Sequence, residues 1–282
     1  MNITPRFLGR GSWLSRRDPR VLVLVVVVFI FSAIQVWDPR VVAALLVLAL
    51  IYYRSAAIPF REVRRNWTAA ITLLSIVVLV NTVLTGDRLY GVEVHPYFSV
   101  PILGTVISAE TWAYAASQWM RYVAMVAVGF PVAFCIPPAD FGATFARLGV
   151  PSKFAFGIDL TFRFLPSLAA DYQQTIEAQL VRGFNPTSRG RGRIGRMRSA
   201  IPLLTPLTVN AIAGAEDTID AMDLRGFGTG KRTWLRELRF DRTDWLVLGG
   251  FAGLLVACTV LGFEGITSKL WVPQFLIDLA PR

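Results

Sequence analysis

Five apolar blocks limit what this chain can fold into. Residues 21–37, 41–53, 68–84 and 245–263 contain no charged side chain, and residues 111–136 contain one, Arg121. A bilayer core of about 30 Å takes roughly 20 apolar residues as a helix, because a helix satisfies its own backbone hydrogen bonds where water is absent. The 41–53 block is short, but Asp38-Pro39-Arg40 reads as a tight turn, so the first two blocks are expected to form a helical hairpin. Composition agrees, with 54% apolar and 17% charged residues, against about 45–50% and about 25% in soluble domains. The chain is expected to be an all-α integral membrane protein with about five transmembrane helices. Arg16 and Arg17 ahead of the first block resemble a twin-arginine signal. The apolar run continues through Trp37 with no small-residue cleavage site, which predicts an uncleaved first helix.

Charge sets the expected orientation. The net charge is +10, and almost all of the 29 basic residues are Arg. Residues 1–20 hold five Arg and 54–65 hold four, whereas the 38–40 turn and the 85–110 segment hold one each. Cytoplasmic loops collect Lys and Arg, so the N-terminus and the 54–65 loop are expected in the cytoplasm of a multi-pass cell-membrane protein. Nucleic acid is not an expected partner, because the basic runs lack interleaved aromatics and any recognisable binding module. Arg121 inside its block is expected to pair with a carboxylate on a neighbouring helix, since an intramembrane charge is costly.

After residue 136 the character changes. Pro137-Pro138-Ala139-Asp140 ends the apolar block, with Asp140 as candidate N-cap, and the sequence then mixes polar and apolar residues. The pattern predicts helices over 141–148, 152–182 and 199–225, the last two long and only partly apolar. The chain divides into N-terminal transmembrane helices (1–138), a middle helical module (139–242), and a C-terminal transmembrane helix with its tail (243–282).

The middle module contains a repeat. Residues 175–184 read TIEAQLVRGF and residues 218–227 read TIDAMDLRGF, with Glu177 matched to Asp220 and Val181 to Leu224. Gly183 and Gly226 are placed where a left-handed residue ends a helix. Arg182 and Arg225 then lie in the last turn, where a cation meets the negative end of the helix dipole. A plain capping role explains one copy. Two matched copies on the basic side favour docking, since a planar guanidinium at a protruding helix end can bind a carboxylate through two bonds.

Arg-Gly at two helix ends, the second followed by GTGKRT (228–233), resembles the transmembrane T component of energy-coupling factor transporters. FRFLP (162–166) and LGVP (148–151) are similar as well. One departure is that Val181 and Leu224 precede the arginines, where the family commonly has Ala. The resemblance implies a subunit linking two cytoplasmic ABC-type ATPases, separate or fused, to a membrane-embedded substrate-binding S component within the lipid bilayer. It implies long coupling helices at the cytoplasmic face. Arg182, Gly183, Arg225 and Gly226 would dock in the ATPases, supported by Val181, Leu224, Glu177 and Asp220. The apolar residues Phe156, Leu160, Phe164, Leu168 and Leu207 are expected to contact the substrate-binding subunit.

No catalytic centre, metal site or cofactor is expected, and ATP is expected to be bound by the partner subunits. GFGTGKRT (226–233) is not a phosphate loop, because Arg225 stands where its first Gly belongs and Arg232 where Ser or Thr belongs. Cys135 and Cys258 read as buried apolar residues, and His95 as a solvated loop residue. The rival reading is a Mg²⁺-dependent membrane prenyltransferase using Glu216, Asp217, Asp220 and Asp223. It lacks a convincing second acidic cluster.

Overall fold

The computed structural model describes residues 11–85, 96–100, 105–183, 193–230, 238, 240–265 and 271–272. Its helices are α1 (Pro19–Ile34), α2 (Pro39–Ser55), α3 (Phe60–Thr85), α4 (Ala109–Cys135), α5 (Phe141–Arg147), α6 (Ser152–Val181), α7 (Arg193–Leu224) and α8 (Arg242–Phe263). All five apolar blocks form helices, the first only as far as Ile34. By length and composition α3, α4 and α8 can cross a membrane, and α1 is a shorter apolar helix. Leu73 and Leu79 of α3 and Leu246 of α8 remain 62%, 60% and 74% exposed. Continuous apolar surface of this kind needs lipid or a partner against it. The chain is a helical membrane protein.

Local chemistry fixes where the helices start. Asp18-Pro19-Arg20 and Asp38-Pro39-Arg40 are the same device. Each Asp side chain accepts the N–H of the Arg two residues on, at 2.9 and 2.8 Å, and each Pro supplies a preset φ where no donor is needed. Each cap contributes about 1 kcal/mol. Ser108 and Thr111 cap α4 reciprocally, as Asp241 and Asp244 cap α8.

The chain forms two compact units. One contains α1–α4 and α8; the other contains α5–α7, and the chain passes between them at Pro137/Pro138 and again just before Leu238. In the first unit α2 lies along α4, α1 and α3 pack on other sides of α4, and α8 packs on α1. Tyr53, Trp67 and Phe130 form an edge-to-face cluster, with the Trp67 indole N–H donating to the Tyr53 hydroxyl at 3.1 Å.

Several expectations need correction. α3 begins at Phe60, directly after Pro59, so Arg61, Arg64 and Arg65 lie on its first turns rather than in a loop. α7 likewise begins at Arg193 instead of 199, because Arg is a good helix former and an apolar criterion stops too soon. The 85–110 segment contains an antiparallel hairpin of β1 (Pro96–Val100) and β2 (Thr105–Ser108). Asp140 makes no side-chain cap; it is buried at the end of a 3-10 turn. His95 and the 184–192 loop lie outside the described residues.

Arg121 differs most from expectation. Its guanidinium donates to the backbone carbonyl of Val36 and lies 5.9 Å from the Trp37 ring centroid, with no carboxylate partner among the described residues. α1 ends at Ile34 with Gln35 as its C-cap, so Val36 lies just beyond the helix, and its carbonyl accepts from Arg121 rather than from a helical N–H. Although Arg121 is near the middle of the 27-residue α4, it lies level with the far end of α1. Trp37 there is 39% exposed and stacks on Tyr114, as aromatic residues do at a membrane boundary.

Candidate docking site

The repeated sequence folds into repeated geometry. In the first copy the Thr175 hydroxyl donates to the Asp171 carbonyl at 2.7 Å; in the second, Thr218 donates to Gly214 at 2.8 Å. Both helices stop at the residue before Arg. Arg182 is the C-cap of α6, and Gly183 follows with φ +81° and its N–H on the Leu180 carbonyl at 3.0 Å. Arg225 follows α7 in the same way, and Gly226 has φ +66° with its N–H on Asp223 at 2.9 Å. The Phe227 N–H then reaches back to the Met222 carbonyl at 3.0 Å. This bond pair is the Schellman ending, which needs a left-handed residue that only glycine adopts without cost.

The Phe227 ring packs on Phe156 at 4.6 Å between centroids, which fixes the chain direction beyond α7. Thr229 donates its hydroxyl to the Gly226 carbonyl at 2.7 Å and closes the turn.

The arginines are therefore C-cap residues, one position beyond the expected last turn. Both are exposed, and among the described residues neither pairs with a carboxylate. Val181 and Leu224 are 90% and 89% exposed. Glu177 and Asp220 are exposed on the turn before. Each helix end presents the same exposed group: an apolar side chain, a guanidinium and a glycine turn.

The apolar residues expected to meet a membrane partner separate into two sets. Phe156, Leu160 and Phe164 recur every four residues and line a groove of about 420 Å³ against Thr218, Ala221, Met222 and Phe227 of the α7 end. Leu207 is half-buried, whereas Leu168 and Phe154 are exposed. Asp159, Arg163 and Arg225 share the groove. The four-residue spacing was the available signal that one row of α6 serves α7. Asp159 has a packing role the sequence did not announce, because Gly142 of α5 presses against its backbone.

Glu216, Asp217, Asp220 and Asp223 stand exposed along α7, and among the described residues no three His, Cys, Asp or Glu gather as metal ligands. The arrangement can bind anionic or carboxylate groups on a partner at two separate helix ends.

Comparison with known proteins gives a consistent result. The family model described as CbiQ, cobalt transport protein, matches residues 10–234. The chain is similar to the energy-coupling factor transporter transmembrane protein EcfT of Thermanaerovibrio acidaminovorans, at 28% identity over 84% of this chain and 89% of the relative. It is similar to the proteins of the same name from Staphylococcus aureus, at 26% identity over 94% and 98% of the two chains, and from Leuconostoc gelidum, at 25% over 91% and 95%.

Proposed function

We infer the role of this chain from the family to which it belongs, the CbiQ cobalt transport proteins: it is the transmembrane T component of an energy-coupling factor transporter. In this reading α6 and α7 are coupling helices at the cytoplasmic face. Their ends dock on two ABC-type ATPases, separate or fused, which bind the ATP. A separate membrane-embedded subunit binds the micronutrient, and the T component passes ATPase motion to it. The chain itself carries no cofactor.

The observation that carries this reading is the duplicated helix ending. A cation held at a helix C-terminus for stability alone does not need an exposed apolar neighbour and a rigid glycine turn twice over. Arg182 and Arg225, unpaired within the described chain, are suited to bidentate bonds with carboxylates on two equivalent partner surfaces. Leu168 and Phe154, exposed outside the α6–α7 groove, are suited to meet the substrate-binding subunit. The magnesium-enzyme reading loses its support, because the family and the relatives are transport proteins by name.

The test is copurification and transport with Arg182→Ala, Arg225→Ala and the double variant. Removing one member of a buried interfacial charge pair costs about 2–5 kcal/mol. Each single variant is expected to weaken ATPase retention and lower transport per ATP hydrolysed, and the double variant to lose the ATPases. The T chain itself should unfold close to its normal temperature, since neither arginine is paired among the described residues. A double variant that retains ATPases and transports normally refutes the docking role.

A further inference from the structure

The start of α3 carries arginines in a place that does not suit them. Arg61, Arg64 and Arg65 lie in its first two turns, where the positive end of the helix dipole disfavours cations. Glu62 is the one carboxylate on these turns. Arg54, by contrast, lies in the last turn of α2, where a cation is favoured. Arg61 and Arg65 are four residues apart, so their side chains are neighbours, and like charges at that spacing destabilise a helix. Both are exposed, and among the described residues no carboxylate is paired with either.

These two arginines stand in line with the lipid face of α3. Helical steps of three and four residues lead from Arg61 through Arg65, Thr68, Thr72 and Ile76 to Leu79, and every residue in this row is exposed. Arg64 begins a different row, through Ile71 and Ser75 to the buried Val78. Ser75 accepts the Trp119 indole N–H at 3.2 Å, so that row turns toward α4. Residues 66–85 carry no charge. About 20 residues at ~1.5 Å each reach roughly 30 Å, the thickness of the hydrocarbon core. With this stretch across the core, Arg65 is at headgroup level and Arg61 about one turn outside it. An exposed apolar row that ends at the membrane boundary in two neighbouring guanidiniums has the order of a phospholipid: acyl chain, then phosphate.

We propose that the Arg61–Arg65 pair of α3 binds the phosphate of one anionic phospholipid, whose acyl chain lies along Ile76 and Leu79. The bound phosphate offsets both the repulsion between the two arginines and their unfavourable place on the helix dipole. The proposal rests on α3 as a membrane span and is independent of how α6 and α7 dock.

The experiment is lipid competition with the full chain, delipidated in detergent and exposed to equimolar phosphatidylglycerol and phosphatidylcholine, with bound lipid read by native mass spectrometry. The first lipid bound should be phosphatidylglycerol, preferred by about 30-fold, the equivalent of ~1 kcal/mol for each of two basic side chains. Arg61→Gln with Arg65→Gln should remove that preference, and Gln forms helices as well as Arg does, so the variant should fold. Arg54→Gln with Arg147→Gln makes the same change of charge away from the row and should leave the preference intact. Inorganic phosphate at the lipid concentration should not compete, because the acyl chain supplies part of the binding. An unaltered chain without the preference overturns the proposal. Equal loss in the two double variants also overturns it, since net charge alone would then explain the effect, and so does competition by inorganic phosphate. An Arg61, Arg65 double variant that keeps its lipid preference and sheds copurifying ATPases makes the pair a protein contact and overturns it as well.

Discussion

Gly142→Ala tests whether α5 braces the coupling helix. A Cβ on Gly142 would lie 2.6 Å from the Asp159 Cβ, 2.9 Å from the Ala155 carbonyl oxygen and 3.2 Å from the Asp159 Cα. Carbon atoms rest at about 3.5–4.0 Å, so the shortfall is about 1 Å. The obstructing atoms are backbone or fixed to it, and no rotamer change can move them. α5 and α6 must separate, disturbing the stack of Phe141 on Phe162, now 5.3 Å between centroids. Overpacking of this kind costs about 1–3 kcal/mol. Replacing a helical glycine by alanine returns about 0.5–1 kcal/mol, so the net loss is about 1–2 kcal/mol. Gly157, on α6, is the control: an added Cβ there meets nothing within 4 Å, so Gly157→Ala should stabilise by the propensity term alone. Two identical substitutions on packed helices are thus expected to have opposite signs. Thermal unfolding of the purified chain in detergent should show Gly142→Ala lowered by several degrees, at about 2–4 °C per kcal/mol, and Gly157→Ala slightly raised. Transport per ATP should fall in Gly142→Ala while ATPase retention persists, because both arginine ends are intact. A Gly142→Ala protein that melts at or above the unaltered temperature refutes the close-approach reasoning.

Gly226→Ala forces a left-handed alanine at φ +66° and should cost about 1–2 kcal/mol. ATPase copurification should fall, and Gly226→Asn should restore much of it; an alanine variant that docks normally argues against the turn's importance. Asp241, just before α8, accepts hydrogen bonds from the Thr243 hydroxyl and the Arg242 N–H and faces Arg17, which together hold its carboxyl below the usual carboxylate range. A depressed native pKa stabilises above the unfolded value of about 3.9 and loses that contribution as pH falls through the native value. The melting difference between unaltered protein and Asp241→Asn should therefore be constant from neutral pH to about pH 4 and narrow below it; a gap that widens on acidification contradicts the assignment. In a background lacking Cys135 and Cys258, Gln173→Cys on α6 should react with an impermeant thiol reagent only from the cytoplasmic side, and Trp112→Cys at the start of α4 only from the opposite side. Labelling of both from one side rejects the orientation.

The elements that were legible in the sequence are those fixed by neighbours along the chain. An uncharged run predicts a helix in lipid without knowledge of its partner, and Arg-Gly-Phe predicts a helix end because only glycine takes the left-handed turn. The C-terminal limits of α6 and α7 were therefore read to within a residue. The starts of α3 and α7 were not, since hydropathy marks where lipid ends and not where a helix does. The hairpin offered only two short strands without a long alternating pattern. The Arg121 partner was hidden for a different reason. Its acceptor is a backbone carbonyl 85 residues away, and every residue has such a carbonyl, so no side-chain signature exists to search for. The Phe156 row was ambiguous because lipid, a partner subunit and α7 all select the same residue types.

The basic N-terminal segment shows how one set of charges acts at two stages. Its arginines entered the orientation count as if they were free. In the folded chain Arg17 bonds Asp241 at 3.0 Å and approaches Asp244 at 3.9 Å, while Arg20 bonds Asp18 at 2.6 Å and the Leu238 carbonyl at 3.0 Å and covers the Phe240 ring at 4.1 Å. Orientation is decided as the first helices insert, when residues 238–244 have not been made, so later pairing leaves the bias intact. An isolated surface ion pair is worth about 0–1 kcal/mol. Asp244 is the desolvated member, 2% exposed in its side chain, so removing Arg17 would leave a buried carboxylate with no cation beside it. Residues 238–244 are the point where the chain returns from the coupling helices to the membrane helices. Holding that point to the start of α1 joins the N-terminal ends of α1 and α8 within the first unit.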